Sequence, residues 1–300
     1  MFDVPVLVII YNQSTETHNL FSVLKQIKPS RLYVAANGAI PNDRNDYALC
    51  LKARCVFMPN WDCQVNKLFK DEHLCKSKML MQAMNWFFEN ENEGIVLFDD
   101  TLPHVDFFPY CKELLETYRD DMRIVHIGGT NMLKRERKNK NSYYFSAYAP
   151  TWGFATWKNR WKGFDLKMLE LKEVDFSEMM APYINKKKEK IFWSKRYRIL
   201  QNYSIDIWDY QYIFHLWNLK GYGIIPNVNL IDNIGFHNKK RKIRKLNRRV
   251  QGILPLRHNT EIIQDKDADK YIFKHYYHKE LLTAFADWVN ENLLGKEKKI

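Results

Sequence analysis

The segment Gly94-Ile95-Val96-Leu97-Phe98-Asp99-Asp100-Thr101 constrains the fold more than any other part of the chain. An apolar run bounded by glycine and by acids reads as a strand buried on both faces, the kind found at the centre of a parallel sheet. Its two carboxylates then stand at the strand's C-terminal end. Ligands of open α/β sheets bind along that edge, and adjacent carboxylates there suit a Mg²⁺ or Mn²⁺ ion that bridges diphosphate oxygens. The simpler alternative for an isolated Asp-Asp pair is an acidic turn that caps the next segment.

The flanking pattern favours the sheet. Residues 6–11 read as a strand, 17–27 as a helix with Leu20, Phe21, Leu24 and Ile27 on one face, and 31–36 as a second strand, which makes a βαβ unit with a right-handed crossover. Residues 46–52 read as a short helix, 55–58 as a short strand, and 76–89 as an amphipathic helix leading into the 94–98 strand. The carboxylate pair therefore closes about the fourth strand of a mostly parallel, helix-flanked sheet. A helix over 107–119, entered through Pro103, a strand over 124–127, a helix over 208–219, a strand near 223–225 and helical segments around 271–277 and 280–292 complete the expectation. Residues 142–161 are dense in aromatics without clean periodicity, which predicts irregular structure around a site.

A chain of 300 residues allows one large α/β domain, or a smaller one with a C-terminal elaboration. Its 46% hydrophobic and 15% aromatic content excludes a largely disordered chain, and no apolar run nears the roughly 20 residues that span a bilayer. The N-terminus has no basic stretch before its short apolar run, so it reads as the first strand and not as a signal peptide. A protein that is soluble, or at most peripheral to a membrane, is expected. Cys50, Cys55, Cys63, Cys75 and Cys111 contain no Cys-x-x-Cys pair, so they read as reduced packing residues of a cytoplasmic protein, without a zinc site. The net charge of +12 is concentrated in residues 134–140, 186–198 and 239–249. Such segments attract the phosphates of an anionic membrane, a nucleic acid or a nucleotide, or they are simply solvated.

Several local patterns occur in order: Pro5-Val6-Leu7-Val8-Ile9-Ile10-Tyr11-Asn12, Tyr33-Val34-Ala35-Ala36-Asn37-Gly38, Trp86-Phe87-Phe88-Glu89, the strand ending Phe98-Asp99-Asp100, Trp152-Gly153-Phe154-Ala155-Thr156-Trp157, and Trp208-Asp209-Tyr210-Gln211. Together, over residues 5–237, they resemble the nucleotide-diphospho-sugar transferase superfamily of GT-A fold, in particular its hemolytic-protein-like glycosyltransferase group. The resemblance implies a GT-A (Rossmann-like) mixed, mostly parallel sheet flanked by helices, with a helical and basic C-terminal extension. It places a glycosyltransferase domain at 1–237, with a nucleotide-binding half over about 1–130 and an acceptor half over about 131–237. Residues 238–300 would pack on that domain.

The resemblance also implies a DXD-like site at Asp99 and Asp100, where the family more often carries Glu-Asp-Asp and this chain has Phe98 in place of the Glu. Asp100 is expected on a Mn²⁺ or Mg²⁺ ion, and Asp99 on the donor's ribose or a metal-bound water. The cation would neutralise charge that builds on the diphosphate. His237 is a candidate third ligand, with His258 as an alternative. Tyr11, Asn12, Asn37 and Gly38 would hold the donor. The family usually has Asp before this Gly, whereas Asn37 both accepts and donates. Lys76 and Lys78 open the helix before the metal strand and either contact the diphosphate or face solvent.

Inverting transfer needs a carboxylate base. Asp209 is the candidate and Asp206 the second choice, although either could instead cap a helix. Trp152 and Gly153 are expected to line the acceptor side, with Trp157, Trp161, Tyr143 and Tyr144 mainly structural. The implied activity is transfer of a sugar, with a UDP-sugar as the expected donor, to a glycan or glycolipid such as a bacterial surface polysaccharide or lipopolysaccharide. Two alternatives stay open: a glycosyltransferase acting on a modified base of nucleic acid, and a GT-A-like binding module without activity.

Overall fold

The computed structural model describes residues 1–133, 141–168, 171, 173–202, 206–234 and 253–277. The basic segments 134–140 and 239–249, His237 and the expected helix over 280–292 lie outside the described residues. The strands are β1 (Val6–Ile10), β2 (Arg31–Ala36), β3 (Gln64–Phe69), β4 (Glu93–Phe98), β5 (Thr101–Pro103), β6 (Ile124–Gly128), β7 (Tyr143–Ser146), β8 (Phe154–Trp157), β9 (Tyr222–Pro226) and β10 (Ile231–Asn233). The helices are α1 (Ser14–Ile27), α2 (Arg44–Arg54), α3 (Lys76–Asn90), α4 (Phe107–Thr117), α5 (Lys158–Trp161), α6 (Glu173–Met180), α7 (Lys187–Asn202), α8 (Asp209–Asn218) and α9 (Lys266–Ile272), the last continued by a π-helical turn over Phe273–Tyr277.

Eight strands form one sheet in the order β3-β2-β1-β4-β8-β6-β9-β7, and β5 pairs with β10 in a separate two-stranded ribbon. The β3-β2-β1-β4 half is parallel throughout, β8 enters antiparallel between β4 and β6, and β6 and β9 are again parallel. This is the mixed, mostly parallel, helix-flanked sheet that the sequence predicts. Alternate residues of each strand face two separate cores. Leu7, Ile9, Tyr33, Ala35 and Val96 pack against α3, α6, α7, α8 and α9. Val6, Val8, Leu32, Val34 and Ile95 pack against α1, α2 and α4. A sheet covered on both faces needs near-continuous apolar strands, which is why β1 and β4 stand out in the sequence.

Two expectations fail. Residues 55–58 are not a strand. The third strand is Gln64–Phe69, which forms the outer edge of the sheet and is only half-buried. Edge strands tolerate polar residues such as Gln64, Asn66 and Lys67, so the apolar signal that marks a central strand is missing there. The 142–161 segment is not irregular either: it contains β7, β8 and the short helix α5. β8 is wholly buried between β4 and β6, so its Phe154-Ala155-Thr156-Trp157 shows none of the alternation of a half-exposed strand. Trp157, Trp161, Tyr143 and Tyr144 are buried core residues, as predicted.

Beyond β7, the buried Asp269 of α9 anchors the C-terminal part of the described chain. Its carboxylate accepts from Ser146 Oγ at 2.5 Å, the Ala147 amide at 2.9 Å and Gln264 Nε2 at 2.7 Å. Burial nevertheless lifts its pKa to about 6, the hydrogen bonds pulling the other way. The folded chain therefore holds a proton that the unfolded chain has already released above pH 3.8. Stability from this group is full below that value and is lost as pH rises to about 6, a loss on the order of 3 kcal/mol. Urea midpoints between pH 4 and 7.5 are expected to fall less steeply for Asp269→Asn than for wild type. Parallel pH profiles would remove Asp269 from this role.

Candidate functional site

The C-terminal ends of β1, β2 and β4 lie side by side and bring Tyr11, Asn37 and Asp99 to one edge of the sheet. Asp99 is 7% exposed, and its Oδ2 accepts the Tyr11 amide at 2.8 Å. Its own amide donates to the Ile9 carbonyl, so the strand pairing of β1 and β4 sets the carboxyl group in place. Burial, and next the negative charge of Asp100, push the Asp99 pKa up to about 7. A second clamp acts one residue on, where the Ile234 amide donates to the Asp100 carbonyl at 2.8 Å. Because β10 pairs Asn233 with Thr101, Ile234 comes to lie against the Asp100 backbone.

Next to this pair, the buried Asp46 of α2 organises the loops that follow β1 and β2. It accepts Tyr11 Oη at 2.6 Å, Asn12 Nδ2 at 2.6 Å and the Ile40 amide at 2.7 Å. Burial opposes its charge, yet these hydrogen bonds win and hold its pKa below the usual carboxylate range. The Tyr11 ring lies 5.2 Å from that of His73, whose Nδ1 is 3.0 Å from the Gly38 carbonyl. Tyr11 and Asn12 thus stand partly exposed on a rigid base.

Asn37 is bonded on every side. Its Nδ2 donates to the Leu74 carbonyl at 2.8 Å, and its Oδ1 accepts the amides of Gly38 and Leu74 at 3.0 and 2.9 Å. The side chain therefore stitches the 37–38 turn to the 71–74 loop. Gly38 has no space for a side chain, because a Cβ there would stand 2.2 Å from the Glu72 carbonyl oxygen. This close approach seats the 71–74 loop on the turn and with it His73.

Asp209 opens α8 on the other side of the pair. The β4–β8 register runs from Glu93 with Trp157 to Val96 with Phe154, and Thr151 lies three residues before β8. The Thr151 hydroxyl donates to Asp209 Oδ1 through a short hydrogen bond. Trp208, immediately before Asp209, packs its ring 6.1 Å from that of Phe98, immediately before Asp99. This ring contact brings the chain positions of Asp99 and Asp209 close together. Burial of the Asp209 carboxyl raises its pKa, against the Thr151 hydroxyl and the Lys76 ammonium.

Asp206 is differently occupied. Its carboxylate accepts the Lys76 amide at 2.8 Å, the Ser77 amide at 2.8 Å and Ser77 Oγ at 2.5 Å. It caps α3 from a distance, since the residue before that helix, Cys75, makes no side-chain cap. Lys76 and Lys78 are exposed on the first turn of α3. Trp152 is partly exposed beside Thr151, while Gly153 is buried and packed so tightly that a Cβ would stand 2.2 Å from Ile231 Cδ1. His258 binds Tyr143 Oη at 2.9 Å and Glu113 Oε1 at 2.7 Å, and so belongs to the far side of the sheet.

Asp46, His73 and Thr151 were not legible as site residues in the sequence. Asp46 follows Asp43 in an ordinary helix-capping pattern, with Asp43 accepting the Asn45 and Asp46 amides. Thr151 is marked by its bond to Asp209, a tertiary contact with no local signature.

A divalent cation would find hard oxygen donors at Asp99 and Asp100. Among the described residues no group of three or more His, Cys, Asp or Glu side chains gathers to hold one. The mutual repulsion of the two acids is what a cation there would relieve. A cleft of about 800 Å³ at the opposite, N-terminal edge is lined by ion-paired residues, among them Arg31 with Glu91 and Arg119 with Glu93. Lys112 with Asp3 is a third ion pair in its lining. Among the described residues, no helix is long and apolar enough to cross a membrane.

No protein-family model and no curated protein matches this chain. Among solved structures it is similar to the mannosyltransferase PcManGT from Pyrobaculum calidifontis in complex with GDP-Man and Mn²⁺, at 12% identity over 72% of this chain and 69% of that one, with a TM-score of 0.37. S. aureus TarS 1–349 is similar at 13% identity over 72% and 71%, also with a TM-score of 0.37. HddC from Yersinia pseudotuberculosis is similar at 12% identity over 52% and 77%, with a TM-score of 0.33. Similarity at these TM-scores says nothing of this chain's chemistry, which rests on the residues of the sheet edge.

Proposed function

We propose that the protein is a metal-dependent glycosyltransferase that moves a sugar from a nucleotide-diphosphate sugar to a hydroxyl of a glycan acceptor. The observation that carries this reading is the closeness of the two acidic positions: Phe98, immediately before Asp99, packs its ring 6.1 Å from that of Trp208, immediately before Asp209. One end of this arrangement suits a diphosphate and the other suits a proton acceptor.

Asp99 and Asp100 would hold Mn²⁺ or Mg²⁺, whose charge stabilises the departing nucleoside diphosphate. Tyr11 and Asn12, fixed by Asp46, would contact the nucleoside. Asn37 contributes by holding the 71–74 loop, so its effect on the nucleotide is indirect. Lys76 stands close enough to act on Asp209 and, at the mouth of α3, adds positive charge near the diphosphate. Asp209 is assigned the base that removes the acceptor hydroxyl's proton in an inverting transfer. Asp206 is committed to α3. The Thr151 hydroxyl orients the Asp209 carboxylate and leaves its second oxygen for the acceptor.

Trp152, beside Thr151, offers an apolar face to a sugar ring. The donor is expected to be a UDP-sugar and the acceptor a bacterial surface polysaccharide or lipopolysaccharide. In that setting the cationic surface would rest against an anionic membrane.

A thermal-shift panel of UDP, GDP, CDP and their common sugar conjugates, with and without Mn²⁺, tests the reading. Ligand at about 100 times its Kd stabilises the fold by about 2.7 kcal/mol, enough for a shift of several degrees. At least one conjugate is expected to raise Tm only when Mn²⁺ is present. No shift with any nucleotide, together with a shift on glycan alone, would favour a binding module.

A further inference from the structure

One face of α8 borders a cavity that the reading above leaves unused. Gln211, Phe214, His215 and Asn218 recur at the spacing of a single helix face and, with Phe164 and Asp165, line a space of about 510 Å³. That volume lies within the range of small-molecule sites. Asp209 precedes Gln211 by two residues, which turns it roughly 200° around the helix axis, so the cavity is on the far side of α8 from the candidate base.

Gln211 is 5% exposed, yet its Oε1 has no hydrogen-bond partner among the described residues. A buried acceptor left unpaired costs free energy and calls for an explanation. The unpaired carboxamide oxygens of Gln82, Asn227 and Asn233 belong to residues that line neither this cavity nor the cleft at the N-terminal edge. The other groups of the lining are also acceptors. His215 Nε2 lies 2.8 Å from the Arg160 carbonyl, which only accepts, so Nε2 carries the proton and Nδ1 of the neutral ring is an acceptor. Burial keeps that ring neutral by lowering its pKa. Asp165 adds a negative charge, and the lining has no Lys or Arg among the described residues, so it is unsuited to phosphates and carboxylates. The apolar part is firmly packed: the Phe164 ring meets His215 edge-on at 5.5 Å, and Phe214 meets Phe176 at 4.8 Å.

We infer that this cavity binds a neutral sugar ring, whose hydroxyls donate to Gln211 and His215 and whose C–H groups rest against Phe164 and Phe214. Acceptors without a balancing cation call for a ligand rich in hydroxyl donors, and the aromatic walls call for an apolar frame that carries them. The sugar's origin rests on the transferase reading: with Asp209 at the start of α8 and the cavity on its far face, the ring bound here is an acceptor unit distant from the reacting hydroxyl.

Saturation-transfer NMR titrations with the methyl glycosides of glucose, galactose, mannose and N-acetylglucosamine test this without any assay of transfer. At least one glycoside is expected to bind wild type. Gln211→Met keeps the side chain's length, removes its polar atoms, and is expected to weaken that glycoside about tenfold, the upper end of what one hydrogen bond contributes. Its Tm should not fall, because the oxygen it removes is unpaired in the free protein, whereas a merely structural Gln211 would lose stability. Asn218→Trp adds bulk to the lining from an exposed position and is expected to abolish binding with Tm unchanged, so it decides the matter even if Gln211→Met fails to fold. Asp209→Asn should bind the glycoside as wild type does. No binding of any of the four by wild type, an unchanged Kd in either cavity variant, or binding lost in Asp209→Asn would overturn the inference. A nucleotide-dependent thermal shift without glycoside binding would overturn the cavity alone, and glycoside binding lost in Asn218→Trp without any nucleotide shift would support the cavity while removing the transferase reading.

Discussion

Replacing Asp100 by alanine is expected to lower Mn²⁺-dependent affinity for a nucleoside diphosphate by about 100-fold or more. Even partners that only orient a metal's ligands typically account for 10–100-fold in affinity, so loss of a direct carboxylate should lie at the upper end or beyond. The fold should survive. Asp100 is only partly buried at the strand end, and its backbone carbonyl, which holds Ile234, remains in the variant. Calorimetric titration of the Mn²⁺–nucleoside diphosphate complex into both proteins measures the effect, with affinity in EDTA as the baseline for each. If Asp100→Ala binds as wild type does, the diphosphate is held elsewhere.

Asp209→Asn is expected to act on the other half of the reaction. It should reduce kcat by about 10²- to 10⁴-fold, the usual contribution of a positioned general base, while donor affinity stays within about twofold. The carboxamide keeps an oxygen for Thr151 but cannot accept the acceptor's proton. Because burial raises the Asp209 pKa, the acid limb of the wild-type kcat profile should lie above the ordinary carboxylate range, with activity rising as pH rises through it. That limb should be absent from the variant's residual rate. Asp206→Asn is the informative contrast. It weakens the distant cap of α3 and is expected to cost about 1 kcal/mol of stability with little change in kcat. A collapse of kcat in Asp206→Asn with Asp209→Asn nearly unaffected would reverse the two assignments.

Much of the fold was legible because central parallel strands have an unmistakable composition. Val6–Ile10, Arg31–Ala36 and Glu93–Phe98 are buried on both faces, and their apolar runs end at the functional edge. The Asp pair was legible for the same reason. What could not be read were features that depend on pairing between distant segments. β3 carries polar residues because it is an edge strand, and β8 hides in an aromatic stretch because its neighbours are β4 and β6. The role of Asp206 as a cap for a helix about 130 residues away has no local signature.

Asn37 shows the same limit within the site. Its position beside Gly38 at the end of β2 was apparent, but the three hydrogen bonds that commit its amide to the 71–74 loop come from tertiary contact. An aspartate at this position would lose one of these bonds, since Nδ2 donates to the Leu74 carbonyl and a carboxylate has no such donor.

Anomalous diffraction at the manganese edge, from crystals grown with Mn²⁺ and a nucleoside diphosphate that stabilises the protein, tests the central claim most directly. The account predicts one strong peak within about 2.0–2.4 Å of a carboxylate oxygen of Asp100, with the diphosphate bridging it and the nucleoside against Tyr11 and Asn12. A nucleotide lodged in the ion-paired cleft at the N-terminal edge, or a manganese peak remote from Asp99 and Asp100, would contradict it.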